Sequence, residues 1–451
     1  MHNNKKMTSQ NKREAIELLG RVFLDEDVPL SKLLKNDIDE FYSNDPGLSF
    51  KKGFRWALSI IKYLFFKNSF DIKIFNTNEE YLNRKILLCS SARREGMNNI
   101  FNKISLDAKA KVTCCVTGPN LHSYGASLCY RFRRRAFPNF RIIVNIFRLK
   151  GISITTKIEL IKRFSIEAQS FFAWKLHLSK EKYSIALFDM DNSSINLPIV
   201  LACKKNLIKT VTFIHGCTWP ADNFIPFCAD FVFIWGNFHV RQFKQSASNT
   251  FTKLISVGNP NIKAPREIQL SNKSLKIKMV GLVTGAWEKS LQKEVINTFS
   301  LGVVVEFHKL FKQHPRELAP LNIIKTDSNV TMYPKDGDLN KFLAELDVLC
   351  VRESSVGLEA LPYGVPIIVI DCNHGKFLGS GELLNIYAGC PIVQNSKELQ
   401  TELSRLQHEE GYLNQRLLKQ YSFMDDLFSN FGEDSLQRIL NEIFPLASTL
   451  D

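Results

Sequence analysis

The chain lacks any apolar run near the ~18 residues that a membrane-crossing helix needs, so no spanning segment is expected. Its polar opening, Met1 to Asn11, has no apolar core and does not read as a signal peptide. A cytoplasmic protein is therefore expected. The ten cysteines include no Cys-x-x-Cys pair and no zinc-like spacing with histidine. Cys114 and Cys115 are neighbours in a strand-like run, where a bridge between them would be strained, so buried reduced thiols are expected. There is no internal repeat, no low-complexity tract and no RNA-binding motif, which sets nucleic acid aside as a partner. Acidic residues are in deficit, 45 against 59 lysines and arginines, and the resulting charge of +14 favours anionic partners.

What is present is an alternation of short apolar runs and helical patterns over 451 residues, enough for two or three domains. Residues 1–80 read as a helical lead-in segment. Within it, 51–67 combines Lys51, Lys52, Arg55, Lys62 and Lys67 with Trp56, Phe54, Leu64 and Phe65. That pattern fits a helix lying at a membrane surface and equally a buried helix whose lysines reach out to water. The arginine-rich stretch 130–151 is a second candidate for lipid contact, so peripheral association with an inner membrane stays open.

From Lys85, buried strands are expected at Ile86–Cys89, Val112–Val116, Tyr183–Phe188, Thr210–Ile214 and Phe231–Trp235, with a helix over 196–204. After Val257-Gly258-Asn259-Pro260 and a polar stretch at 263–274, a second series begins. It has strands at Ile277–Val283, Val303–Val305, Ile323-Ile324, Val348–Val351, Ile367–Ile370 and Ile392-Val393. Helices are expected near 339–345, 355–363, 396–408 and 434–443. The division is 1–80, an α/β domain over 81–262, a second over 275–430, and a C-terminal helix at 431–451. Strands alternating with helices imply parallel sheets covered on both faces, hence two Rossmann-like domains facing across a cleft. Ligands of such sheets bind beyond the carboxyl ends of the strands.

Polar clusters fall at those ends. His314-Pro315 follows an apolar run; the proline stops the strand, so the imidazole can donate a proton or hydrogen bond to an anion. About 40 residues on, Ser354-Ser355 stand where a helix should begin, a setting suited to phosphate. Gly285 would let a phosphate or acceptor approach the backbone. Tyr333 and Lys335 precede a helix, where base or ribose contacts are plausible, and Glu359, one turn past Ser355, is placed for a ribose hydroxyl. Lys312 and Arg316 flank His314 and could meet phosphate. In the first domain Asp189, Asp191 and His215 end strands, and any of the three could take a proton from an acceptor hydroxyl. Gly216 permits the tight turn after His215.

These residues resemble bacterial glycosyltransferases of the GT-B fold used in surface-polysaccharide synthesis. More narrowly, His314-Pro315 and Ser354-Ser355 look like the HP and Ser-Ser motifs of sialyltransferases and Kdo transferases. The stretch 354–366 (SSVGLEALPYGVP) resembles the donor-site helix widespread in GT-B enzymes. Residues 212–236 followed by VGNP at 257–260 are similar to CDP-glycerol glycerophosphotransferases, in which an HG and an HP histidine both matter. The acidic motif of sialyltransferases ends in glycine, whereas Asp189-Met190-Asp191-Asn192 does not. The resemblance implies a metal-independent transferase with a nucleotide-sugar donor, foremost a CMP-sugar such as sialic acid or Kdo. It implies a glycan or lipid-linked acceptor, of capsule or lipopolysaccharide kind. Transfer from a CDP-polyol, use of a UDP-sugar, and a non-catalytic nucleotide- or polyanion-binding protein are the alternatives.

Overall fold

The computed structural model describes the backbone of the strands at 70–76, 85–90, 111–116 and 128–132. It then describes, with short gaps, residues 170–214, 216, 227–246, 252–262, 276–285, 289–314, 329–334, 337–372 and 379–448, besides a few isolated residues. The segment 51–67, residues 133–151, Ile323-Ile324, and almost all of 263–274 lie outside the described residues.

The first sheet has eight strands: β1 (Phe70–Asn76), β2 (Lys85–Ser90), β3 (Lys111–Val116), β4 (Leu128–Phe132), β5 (Tyr183–Phe188), β6 (Lys209–Phe213), β7 (Phe231–Ile234) and β8 (Lys253–Ser256). Their order is β4-β1-β3-β2-β5-β6-β7-β8. From β3 to β8 every pairing is parallel, as continuous apolar runs such as Ile185–Phe188 require of strands buried on both faces. The other edge departs from expectation: β1 runs antiparallel to both β3 and β4. Residues 70–76 are thus a strand, not part of a helical lead-in. Asp71 and Lys73 alternate there with Phe70, Ile72 and Ile74, a period of two that suits a strand near a sheet edge.

The second sheet has β9 (Met279–Val283), β10 (His308–Lys312), β11 (Val330–Tyr333), β12 (Val348–Val351), β13 (Ile367–Ile370) and β14 (Ile392–Val393), all parallel, in the order β11-β10-β9-β12-β13-β14. Numbered from β9, this is the doubly wound order 3-2-1-4-5-6, whose switch point, where ligands bind, lies at β9 and β12. The strand expected at Val303–Val305 is not one. The helix Lys289–Gly302 ends just before it, Val303 is buried beneath that helix, and Val305 is 78% exposed. The true strand carries His308, Lys309 and Lys312, which masked its pattern. Lys309 nevertheless lies inside, its Nζ donating to Ser300 O at 2.8 Å.

Nine helices run their whole length among the described residues: α1 (Leu197–Lys205), α2 (Asn237–Ser246), α3 (Lys289–Gly302), α4 (Leu339–Ala344), α5 (Val356–Ala360), α6 (Ser380–Ala388), α7 (Ser396–His408), α8 (Tyr412–Leu427) and α9 (Gly432–Ser448). The chain returns at its end. Phe428 stacks on Trp235 of the first domain at 5.4 Å, and Phe423 of α8 meets Phe238 of α2 edge-on at 5.3 Å. Then α9 buries Leu436, Ile439, Leu440 and Ile443 against Ile185, Leu187 and Val211 of the first sheet. The last helix therefore belongs to the core of the first domain. The two domains share apolar packing on one side, and their strand ends face each other beside it.

Candidate functional site

The site is built on three neighbouring strand ends. Register pairs Lys312 of β10 with Val283 of β9, and Cys350 of β12 with Leu282 of β9, so the three strands finish level. Adjacent strands are about 4.8 Å apart, which puts the ends of β10 and β12 roughly 10 Å from each other with β9 between. Beyond β9 come Thr284 and Gly285, both buried. Beyond β10 comes His314, and beyond β12 come Ser354 and Ser355, all partly exposed. Residues that lie 40 apart in sequence thus flank one small recess floored by Gly285.

His314 is seated by its backbone: its N–H donates to Thr284 Oγ1 at 3.2 Å, and Thr284 N–H donates to Lys312 O at 3.2 Å. This cross-strand stitch fixes where the imidazole leaves the sheet. Pro315 and Arg316 lie outside the described residues. Lys312 does not meet the recess as expected. Its side chain is buried, with Nζ donating to Pro334 O at 3.2 Å and Gly337 O at 2.8 Å.

The serine pair opens a very short helix. Residues 356–360 make α5 and a 3-10 turn follows at Leu361–Tyr363, so little macrodipole is available and the hydroxyls matter more than the sequence implied. Ser354 Oγ accepts from Val356 N–H at 3.3 Å, while its carbonyl accepts from Ser380 Oγ at 2.6 Å. Ser355 Oγ donates to Glu359 Oε1 at 3.4 Å. Glu359 is a partly exposed residue whose carboxyl sits enclosed; burial pushes its pKa up to about 7, against the lowering effect of the Ser355 hydrogen bond.

The first domain reaches this point. Gly216 has φ +63°, and a side chain built on it would sit 3.7 Å from Ser355 Oγ. The turn after β6 and the serine pair are therefore neighbours across the cleft. His215 lies outside the described residues. The two aspartates at the end of β5 are inside the protein instead. Asp189 is fully buried and accepts from Asn196 Nδ2 at 2.9 Å. Asp191 is 3% exposed, and its Oδ2 accepts the backbone N–H groups of Cys228 at 2.5 Å and Ala229 at 2.7 Å. Desolvation raises the Asp191 pKa against the pull of those bonds. Asp191 thus ties the end of β5 to neighbouring backbone, and Asp189 ties it to the Asn196 side chain.

Tyr333 is likewise occupied, its hydroxyl donating to Asp338 O at 3.1 Å and its ring lying under Lys312 Nζ, while Lys335 lies outside the described residues. Arg352 was missed by sequence reading. It directly precedes Glu353-Ser354-Ser355, is 2% exposed, and bonds Glu353 Oε2 at 2.8 Å, with Asp371 Oδ1 at 3.8 Å. Only its place at a strand end could have flagged it. Among the described residues no helix is long and apolar enough to cross a membrane.

No protein-family model matches the chain, and no curated protein does. Among solved structures it is similar to a putative UDP-N-acetylglucosamine 2-epimerase from Listeria monocytogenes, with 15% identity, 80% of this chain and 96% of that one covered, and a TM-score of 0.50. It is also similar to S. aureus MnaA with UDP (14% identity, 80% and 96% covered, TM-score 0.49). A third similar structure is CalG4, the calicheamicin glycosyltransferase (10% identity, 82% and 99% covered, TM-score 0.49). Identities this low speak to the fold alone, and the fold is the expected one: an α/β protein of GT-B architecture, two doubly wound sheets with their strand ends turned toward each other.

Proposed function

We propose that the protein is a glycosyltransferase that uses a nucleotide-activated sugar. The carrying observation is the recess itself: His314, Gly285 and Ser354-Ser355 at three level strand ends, with Gly216 of the other domain against Ser355. The recess offers hydroxyls, an imidazole and a floor residue without a side chain, which is the chemistry a phosphate needs. Of the donors, a UDP-sugar is favoured over the CMP-sugar that the motifs suggested, because a similar structure bears the name of a UDP-sugar enzyme.

In this reading the donor's phosphates lie over Gly285 and are held by Ser354 and Ser355. An acceptor hydroxyl oxygen attacks the anomeric carbon as the bond from that carbon to the phosphate oxygen breaks. The hydroxyl proton passes to a base of the first domain. We assign that base to His215, next to Gly216, because Asp189 and Asp191 are buried and bonded to structural partners. The leaving phosphate takes a hydrogen bond or proton from His314, which offsets its charge as it forms. Glu359 accepts from a ribose hydroxyl. The reaction is expected to proceed in EDTA, and the acceptor to be a surface glycan or its lipid-linked precursor.

The test is thermal stability against UDP, UMP, CDP, CMP and GDP, since a ligand of the folded state alone raises the melting temperature. A shift with UDP that disappears in the Ser354→Ala/Ser355→Ala variant supports the reading. A shift with CMP alone would return the donor to a CMP-sugar, and one with CDP alone to a polyol phosphate. No shift with any of them would sink the nucleotide site.

A further inference from the structure

The start of α6 touches the serine pair, and the proposed chemistry leaves that contact unused. Ser380, the first residue of α6, is fully buried, and its Oγ donates to Ser354 O at 2.6 Å. The same carbonyl accepts from Gly357 N–H at 3.1 Å, so it is held both from its own turn and from a separate helix. The neighbouring residues are shaped for this approach. A Cβ on Gly381 would run into Arg352 O and lie 2.9 Å from Val369 Cγ1, so a glycine lets the first turn of α6 seat on β13 and on the residue that follows β12. Further along, a Cβ on Gly357 would lie 2.6 Å from Leu384 Cδ1, so α5 and α6 are pressed together as well. The Ser354 hydroxyl is oriented in the same small region. Its Oγ accepts from Val356 N–H at 3.3 Å, which leaves its own hydrogen to donate to an anion.

We infer that Ser380 is a positioning residue for the phosphate grip: by holding the Ser354 carbonyl it fixes Ser354, and with it the direction of the Ser354 hydroxyl. This rests on the reading of the recess as a nucleotide site. The need for an outside hold follows from the length of α5. Five residues supply little macrodipole, so the grip depends on where the hydroxyl points. A turn bonded within itself can rock about its ends, whereas α6 is anchored by the fully buried Leu383 and Leu384. A donor already held in place does not have to be ordered when the anion arrives, so its bond is retained in the binding affinity. Serine near a helix start ordinarily serves that helix's own free N–H groups. Here the hydroxyl hydrogen is directed out of α6 instead, onto the residue that carries the grip. Because the hold acts on phosphate and not on base, it bears equally on a nucleotide and on bare pyrophosphate.

The test is a double-mutant cycle of wild type, Ser380→Ala, Ser354→Ala and the two together, read by calorimetry. The probes are UDP, CDP, CMP and inorganic pyrophosphate. Ser380→Ala is expected to weaken each probe that the wild type binds by a similar factor, about tenfold. In the Ser354→Ala background the same change is expected to cost less than about twofold, because the hydroxyl it directs is already gone. If Ser380→Ala does not fold, Ser380→Cys, which fills a similar space with a weaker donor, carries the cycle and must show the same coupling. A loss of equal size in both backgrounds overturns the inference, since a serine needed only for packing would weaken both alike. Unchanged affinity in the Ser380 variants overturns it as well. So does a loss for the nucleotides with pyrophosphate binding untouched, which would place the effect at the nucleoside. A wild type that binds none of the probes overturns the nucleotide site itself, and that outcome is read before any variant is made.

Discussion

At the end of β5 two carboxylates are 0% and 3% exposed, each bonded to neighbouring groups of its own domain. At the ends of β10 and β12, His314, Ser354 and Ser355 stay partly open, with Ser355 Oγ donating to Glu359. Both clusters look alike as sequence: small polar residues after a buried run. The difference lies in what approaches from the side. Beyond β5, the segment entering β7 brings two unpaired N–H groups, and Asp191 satisfies them. Beyond β12, the neighbour is the other domain's Gly216, which brings no side chain at all. A strand-end polar group becomes a candidate for chemistry when the fold leaves it partly exposed rather than sealed inside.

The largest effect that would break this contrast is catalytic. His314→Ala should lower the sugar-transfer rate about 100- to 1,000-fold, the usual loss when a donor to a developing oxyanion is removed. Its melting temperature should stay near that of wild type, because the imidazole is partly exposed. A steady-state assay with the donor identified by thermal shift decides it. Full activity in His314→Ala would remove the histidine from the mechanism.

Asp191→Ala should do the reverse. It removes the acceptor of the buried N–H groups of Cys228 and Ala229, a loss of about 2–6 kcal/mol at 1–3 kcal/mol for each group. Urea unfolding measures that loss, and the folded fraction should keep transfer activity within a few-fold. If stability is untouched and activity collapses, Asp191 is the base and the contrast between the two strand ends fails.

The buried strands were legible because continuous apolar runs such as Tyr183–Phe188 and Val348–Val351 admit few alternatives to buried parallel strands. His308–Lys312 was not, because two lysines and a histidine conceal a strand whose lysine stems run inside and whose charges end on carbonyls. Likewise, spacing placed His314 and Ser354-Ser355 at strand ends, but could not tell that Asp191 is buried and bonded to backbone. That distinction depends on Cys228 and Ala229, 37 and 38 residues away. The burial of Lys312 was hidden for the same reason: its partners are backbone carbonyls, which no residue type announces.

Glu359 gives a smaller and more graded test. Its folded pKa is near 7, above the ordinary carboxyl value, so between those values the folded state holds the proton that the unfolded state has released. The stability this contributes is complete below the unfolded pKa and is lost as pH rises toward 7, on the order of 3 kcal/mol. Glu359→Gln should flatten the dependence of stability on pH between about 4.5 and 7 and be relatively more stable at pH 8. A wild-type profile with no slope there would show that the carboxyl is solvated, and that the serine side of the contrast is more open than its geometry indicates.

The smallest expected effect sits at the contact between the two halves. Gly216 holds φ +63°, where an alanine costs roughly 1 kcal/mol of backbone strain. The new methyl, however, would lie 3.7 Å from Ser355 Oγ and 3.8 Å from its Cβ, ordinary contact distances. Gly216→Ala should therefore lower stability by about 1 kcal/mol through the turn alone, with nucleotide affinity unchanged. Because the strain is local to the first domain and the phosphate grip is local to the second, the two readouts separate. A loss of affinity without loss of stability would mean that the turn closes over the bound nucleotide more tightly than 3.7 Å allows, and that the first domain's strand end is as much a part of the recess as the second's.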